Sequence, residues 1–561
     1  MKNAPETLPE DGILVGYSLE HEHRTTPMGF SFGPPEAVAD DRYLDPYMFN
    51  DGGHLITVAP TGAGKGVSCI IPTLLRFQGS VIVIDPKGEN YAVTHRQREA
   101  LGSEIHLLDP LGMFPDSPHR SSLNPLTLLD LDGMQAMDGA ELLASLVTPV
   151  MSQKDPFWEL AARTVLTGLI LHYATRHEGG DLAAIRRDML CFAQGEPNER
   201  LSAQHTPTIF DEMSQLLQTC GVRGVPNAQQ LTDAQITELV AGYLADGQVP
   251  NHLPFDHEKL RALTHGVAQI DAILEELRLY AVFAQPDTEA EELPMAIKSL
   301  LASGNKDARD LGTFATKMAD KTLLSVLVTL NQALAWAKGD GVVSAISSSR
   351  VNLQDVLDGK NQTIYIAVPS ANLTSHAPLL RMWIATLIKT LSLRRTLPAN
   401  RTLFMLDEAA QLGPLDDLRT AITLLRGYGV QTWSFWQDLS QLKLLYPMDW
   451  RSILNNCRVM QFFGPNSMMF ADDIAHVVGN FTPGEVMALE SDEMILAVSG
   501  DDPVIAQKPN YLTDPAFRGR YGDNPFFTAP NPPSRPKLSL SKPLRGRSQT
   551  VAEWSAGRRE G

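Results

Sequence analysis

Residues 59–66 read Ala-Pro-Thr-Gly-Ala-Gly-Lys-Gly, a run whose residue types suit the capture of an anion. Glycines let successive backbone N–H groups turn inward as an anion nest. The N-terminus of a helix adds its positive end, and a lysine reaches the outer phosphates of a nucleotide. Gly62, Gly64 and Lys65 fit those roles, and the candidate nucleotide-binding loop comprises Pro60, Thr61, Gly62, Ala63, Gly64, Lys65, Gly66 and Val67. Two positions depart from the common phosphate-loop pattern G-x-x-x-x-G-K-[ST]. Ala59 stands at the first glycine, and Gly66 stands where a hydroxyl would ligate Mg2+. Magnesium must then lean on water, phosphate or another side chain.

Four further sets of residues bear on the same chemistry. Leu403-Phe-Met-Leu-Asp407-Glu408 ends an apolar run in two adjacent carboxylates. In nucleoside-triphosphate hydrolases such an aspartate holds the metal through water, and the glutamate orients or deprotonates the attacking water. Gln437 follows a strand-like run, and its amide supplies both a donor and an acceptor for sensing the γ-phosphate or positioning that water. Arg426 precedes the same run; offered across a subunit boundary, a guanidinium would stabilise charge on the transferring phosphoryl group. The bland alternative for Arg426 is a surface arginine at a helix C-terminus. Asp85-Pro-Lys87-Gly-Glu89 ends another apolar run and is expected beside the phosphate loop, in contact with the site or with a neighbouring subunit.

These residues need a scaffold, and the apolar pattern supplies one. His54–Val58 and Ser80–Ile84 are short, continuous apolar runs that read as strands, with a helical stretch Val67–Phe77 between them. Strand, tight turn, helix, strand is a βαβ unit with a buried parallel sheet. Strand-like runs return at Gln362–Val368, Thr402–Leu406, Gln431–Trp436, Val459–Phe463 and Glu493–Ser499, with helical stretches at Ser375–Leu393 and Leu415–Arg426. From about residue 131 to 345 helical periodicity dominates. Asp155-Pro156 supplies a helix start, Trp158 to Tyr173 an apolar face, and Leu323, Leu327, Leu330 and Leu334 another. The expected fold is an α/β P-loop sheet domain split in sequence (51–130 and 346–515) around an inserted all-α domain (131–345). Residues 1–50 read as an irregular lead-in with one short strand, Ile13–Tyr17, and 516–561 as a disordered, Pro-rich basic tail.

Length and charge narrow the classes. The 561 residues carry a formal charge of −18, which argues against a protein that coats nucleic acid with its whole surface but leaves room for a basic channel. The charge is uneven: from Tyr521 to Gly561 seven basic side chains face three acidic ones. The four cysteines lie far apart with no CxxC, so neither a disulfide framework nor a thiolate zinc site is expected, and a cytoplasmic setting is. The longest uncharged apolar-rich stretch, Thr322 to Ala337, is too short to span a bilayer, so a soluble chain is expected. His21-Glu-His23 offers two metal ligands without a third, and Cys69 reads as core.

The segment APTGAGKGVSCIIPTLLRFQGSVIVIDPKGENYAVT resembles the nucleotide-binding core of type IV secretion coupling proteins, the TraG/TraD-type conjugative ATPases. So do LFMLDEAAQLGPLDDLRTAI, LRGYGVQTWSFWQDLSQLKLLYP and FTPGEVMALESDEMILAVSG, while NPLTLL and DPFWELAARTVLTGLILH resemble the start of the family's helical domain. Glycine after the loop lysine is an accepted variation there. The resemblance implies a RecA-like motor domain that assembles as a homo-hexamer around a DNA channel, using ATP and Mg2+. Carried onto this chain, Lys65 binds phosphates, Asp407 holds the Mg2+ water shell, Glu408 activates water, Gln437 couples hydrolysis to movement, and Arg426 is a candidate finger in trans. Implied partners are DNA, relaxase or secreted protein substrates, and type IV secretion components. Members usually begin with transmembrane helices, so a chain without one is expected to dock peripherally at the inner membrane through a partner. The rival expectation is a nucleotide-binding adaptor that recruits relaxase or effector proteins without pumping DNA.

Overall fold

The computed structural model describes residues 4–19, 45–131, 133–149, 156–174, 180–186, 295–301, 303–413, 419–422 and 425–525. His21 and His23, a pair lacking a third metal ligand, the helix-starting Asp155 and the tail beyond residue 525 lie outside them. Strands β1 (Ile13–Ser18), β2 (Pro46–Phe49), β3 (His54–Val58), β4 (Ser80–Ile84), β5 (Glu104–Leu108), β6 (Gln362–Ile366), β7 (Thr402–Leu406), β8 (Val430–Trp436), β9 (Cys457–Phe463), β10 (Glu493–Val498) and β11 (Val504–Gln507) form one sheet. Their order is β2-β1-β11-β10-β9-β3-β8-β7-β4-β6-β5. From β9 to β5 all neighbours run parallel, and from β9 through β10, β11 and β1 to β2 they run antiparallel.

The parallel strands are buried at nearly every position because both faces are covered. Ile56, Val58, Ile82 and Ile84 enter one core, packed by the helices Ala136–Val147, Phe157–Ala174 and Ala377–Ser392. Leu55, Val81 and Val83 face the other core, under Cys69, Ile70 and Leu74 of the segment that follows the phosphate loop. Successive side chains thus alternate between two buried layers, the period of two that a pleated strand imposes. The described segments between residues 136 and 346 that carry regular structure are helical, including Met295–Leu301, Lys306–Thr316, Asp320–Ala333 and Asp340–Ile346. Among the described residues no helix is long and apolar enough to cross a membrane.

Several local expectations change. The lead-in adds two strands to the sheet, since β2 pairs with β1 although it contains Pro46 and is only half-buried. The predicted helix Val67–Phe77 is a π-helical turn, Gly66–Ile70, running into a short helix, Ile71–Leu74. Of the predicted helix 415–426, residues 419–422 are helical, whereas Arg426 lies on the separate 3-10 turn Leu425–Tyr428. The first residues assigned to the tail are packed: Phe517 is buried, the Gly522 N–H donates to Val93 O (2.8 Å), and Asn524 donates to Glu89 Oε1 (2.6 Å). These residues cover the helix Glu89–Ala100, a tertiary contact that local composition does not announce.

Candidate functional site

The loop follows β3 and opens the turn Gly66–Ile70. Gly62 and Gly64 have φ of +79° and +93°, the left-handed region that a side chain resists, so glycine is required at both. A Cβ placed at Gly62 or Gly66 would meet nothing within 4 Å, so this side of the loop is open. The Ala63 N–H donates back to Pro60 O (3.1 Å), and the Ser68 N–H donates to Gly64 O (2.9 Å).

Around the loop, parallel strands end side by side. Asp407 and Glu408 follow β7 and Gln437 follows β8, which lies between β3 and β7. Lys65 Nζ lies 3.2 Å from Glu408 Oε1, and Gln437 Nε2 donates to Glu408 Oε2 at 2.8 Å. Lys65 lies 343 positions from Glu408 and Gln437 lies 29 from it, yet the three form one chain of charge-assisted hydrogen bonds. Glu408 adopts φ 55°, ψ 45°, left-handed for a residue with a Cβ, at a cost of roughly 1–2 kcal/mol. Its N–H donates to Asp407 Oδ1 (3.1 Å).

Asp407 keeps a little solvent contact but is closely packed by protein. That packing pushes its carboxyl up to about 6, and the Glu408 charge adds to the rise while Lys65 and Lys87 oppose it. Asp85 ends β4, the other neighbour of β7. Complete burial pushes it up to about 7 against hydrogen bonds from the Tyr91 and Asn90 N–H groups, with the Asp407 charge adding to the rise. The expectation that Asp85 lies beside the phosphate loop is corrected: β7 and β8, which come later in the chain, insert between β3 and β4. Cys69 is core as expected, and burial pushes its thiol up to about 12.

Arg426 is not brought to this cluster. It precedes β8, at the opposite rim of the sheet, and donates to Asp51 Oδ1 and Oδ2 at 2.7 and 3.0 Å. Both partners are nearly half exposed, so the pair is weak and exchangeable.

Lys508, just past β11, was not legible in the sequence. Its ammonium donates to Ala63 O (3.2 Å) and lies 4.3 Å from the centre of the Phe463 ring. Drawing that carbonyl outward favours N–H groups that point into the nest. No local signal could have found it, since 445 positions separate the pair.

The donor set fits a divalent cation delivered with a nucleotide. Carboxylates suit Mg2+, yet no group of three or more His, Cys, Asp or Glu among the described residues could hold a metal alone. Phosphate oxygens and water must therefore complete its shell.

The protein VirD4 of Agrobacterium fabrum is 24% identical over 560 residues, covering 92% of this chain and 66% of that protein. The conjugal transfer protein TraG of Escherichia coli is 21% identical, covering 83% and 68%. This chain therefore spans about two thirds of the length of these relatives. A crystal form of the bacterial conjugative coupling protein TrwBdeltaN70 aligns with a TM-score of 0.46 at 15% identity, covering 83% of this chain and 86% of that one. A family model described as type IV secretory system conjugative DNA transfer matches residues 21–219 and 275–483. With strands β2 to β9 and the loop that carries Lys65 inside that match, the chain belongs to the type IV secretory system conjugative DNA transfer family.

Proposed function

We propose that the protein is an ATP-hydrolysing motor that moves DNA, or DNA with attached protein, toward a type IV secretion apparatus. The observation that carries this reading is the convergence of Lys65, Glu408 and Gln437 beside an open phosphate loop. Lys65 exchanges its bond to Glu408 for the outer phosphates of ATP. Glu408, released, accepts the proton of the attacking water, and Gln437 orients that water with its amide. Asp407 would hold Mg2+ arriving with the nucleotide, and the ion would neutralise phosphate charge. Residues 60–67 cradle the phosphates.

In this reading the split sheet domain (51–130 and 346–515) is the motor and the helical region 131–345 selects substrates. The basic residues beyond 525 contact partners. Arg426 leaves Asp51 to complete the site of the next subunit in a homo-hexameric ring around DNA. Relaxase or secreted proteins are the cargo, and a partner docks the ring at the inner membrane.

The test is ATP turnover with and without single- and double-stranded DNA. Turnover should rise with DNA, and Glu408→Gln should lower it by about 10²–10⁴-fold while fluorescent-nucleotide binding persists. Unchanged turnover in Glu408→Gln would refute the motor. Nucleotide-dependent capture of relaxase with no hydrolysis on any DNA would favour the adaptor instead.

A further inference from the structure

We propose that Asp85 is the second carboxylate of the magnesium shell, in place of the hydroxyl that Gly66 lacks. The inference rests on the nucleotide-hydrolysing reading above and adds to it a residue from a different strand. Val83 of β4 pairs with Met405 of β7 in a parallel register, so Asp85 and Asp407 emerge at equivalent positions beyond adjacent strand ends. Asp85 is 1% exposed. Its Oδ2 accepts the Tyr91 N–H at 2.8 Å and the Asn90 N–H also acts on the carboxyl, whereas Oδ1 is buried with no partner at hydrogen-bond geometry.

A buried acceptor left unpaired costs about 1–3 kcal/mol, more when charged, and calls for an explanation. The bonded oxygen anchors the start of the helix Glu89–Ala100; the other has no protein partner. A hydrated cation beside Asp407 would provide donors for both carboxylates. The same arrangement answers the deficit at the loop, where residue 66 contributes no oxygen. Two carboxylates cannot hold the ion by themselves, so retention should require the triphosphate.

Mn2+, followed by its electron paramagnetic resonance signal on the full chain with a non-hydrolysable ATP analogue, is the probe. Wild type should retain Mn2+ only when the analogue is present. Failure there would sink the nucleotide-site reading itself, independently of Asp85. Asp85→Asn keeps an acceptor for the Tyr91 N–H but removes the anionic oxygen. It should lose about tenfold or more in Mn2+ affinity with its melting midpoint near wild type. A cavity-side hydroxyl can be restored with Gly66→Ser, for which there is space, and should recover that affinity in the Asp85→Asn background. Undiminished Mn2+ affinity in Asp85→Asn overturns the proposal and leaves Asp85 as a helix anchor. Gly66→Ser alone covers the case in which Asp85→Asn does not fold. A change under about twofold supports an already filled shell, and a gain near tenfold refutes it.

Discussion

At the scale of single residues, the site stores its reagents against one another. Glu408 is tied to Lys65 and Gln437 in a left-handed backbone conformation, so a phosphate that claims Lys65 also frees the carboxylate. Lys65 and the Asp407–Glu408 pair were legible as residue types, because only a few side chains perform phosphate and metal chemistry. Asp85 was half legible: its carboxylate was noticed, but its neighbour was misassigned. His54 marks the far rim. Its Nδ1 accepts the Thr432 N–H at 3.0 Å, and burial followed by the Arg426 charge holds the ring down to about 4. Because the folded value lies below the ordinary one near 6.5, this stability is present above pH 6.5 and drains away as pH falls toward 4. Urea unfolding at pH 7.5 and 4.5 should show roughly 2–3 kcal/mol more acid loss in wild type than in His54→Asn. Equal losses in the two proteins would contradict the burial argument.

At the scale of elements, a buried polar network fastens the strand beneath the loop. Trp433 Nε1 donates to Thr57 Oγ1 (2.8 Å), which donates to Gln461 Oε1 (2.6 Å). Cys69 Sγ donates to the same oxygen at 3.4 Å, and Gln461 Nε2 donates to Val15 O at 2.8 Å. One glutamine thus ties β9 to β3, β1 and the turn that carries the loop. Gln461→Leu should lower unfolding free energy by about 2–3 kcal/mol, since it strands the Thr57 hydroxyl and the Val15 carbonyl. Urea midpoints at neutral pH measure the effect; a change under about 0.5 kcal/mol would show that the network is dispensable. The central strands were readable because burial on both faces demands continuous apolar runs. Strands β5 and β11 were not: Glu104 and His106 interrupt one, and the other has only one buried residue. Edge strand β5 and β11, which lies between β1 and β10, owe their pairing to neighbours rather than to local pattern.

For the whole molecule, the sheet order separates two rims. Lys65, Asp85, Asp407, Glu408 and Gln437 sit beyond the C-terminal ends of parallel strands, while Arg426 and Asp51 precede β8 and β3. A guanidinium on the opposite rim does not serve its own site, so a finger role requires a second copy. Single variants Lys65→Ala and Arg426→Ala should each reduce DNA-stimulated turnover by about 10²-fold or more. Mixed in equal amounts, the two should regain a measurable fraction, because some boundaries then join an intact loop to an intact arginine. No recovery in assemblies shown to be mixed would assign Arg426 a structural role through Asp51.

Sequence alone determined the kind of chemistry, the parallel-strand core and the family resemblance, because these depend on residue type and short-range periodicity. It also marked the loop, through glycines that its backbone angles require. Tertiary structure alone decided that Glu408 bridges Lys65 and Gln437, that Lys508 steadies the loop, that Asp85 adjoins Asp407, and that Arg426 faces away. Those outcomes follow from strand order and crossover connections. Contacts across hundreds of residues leave no periodic trace along the chain.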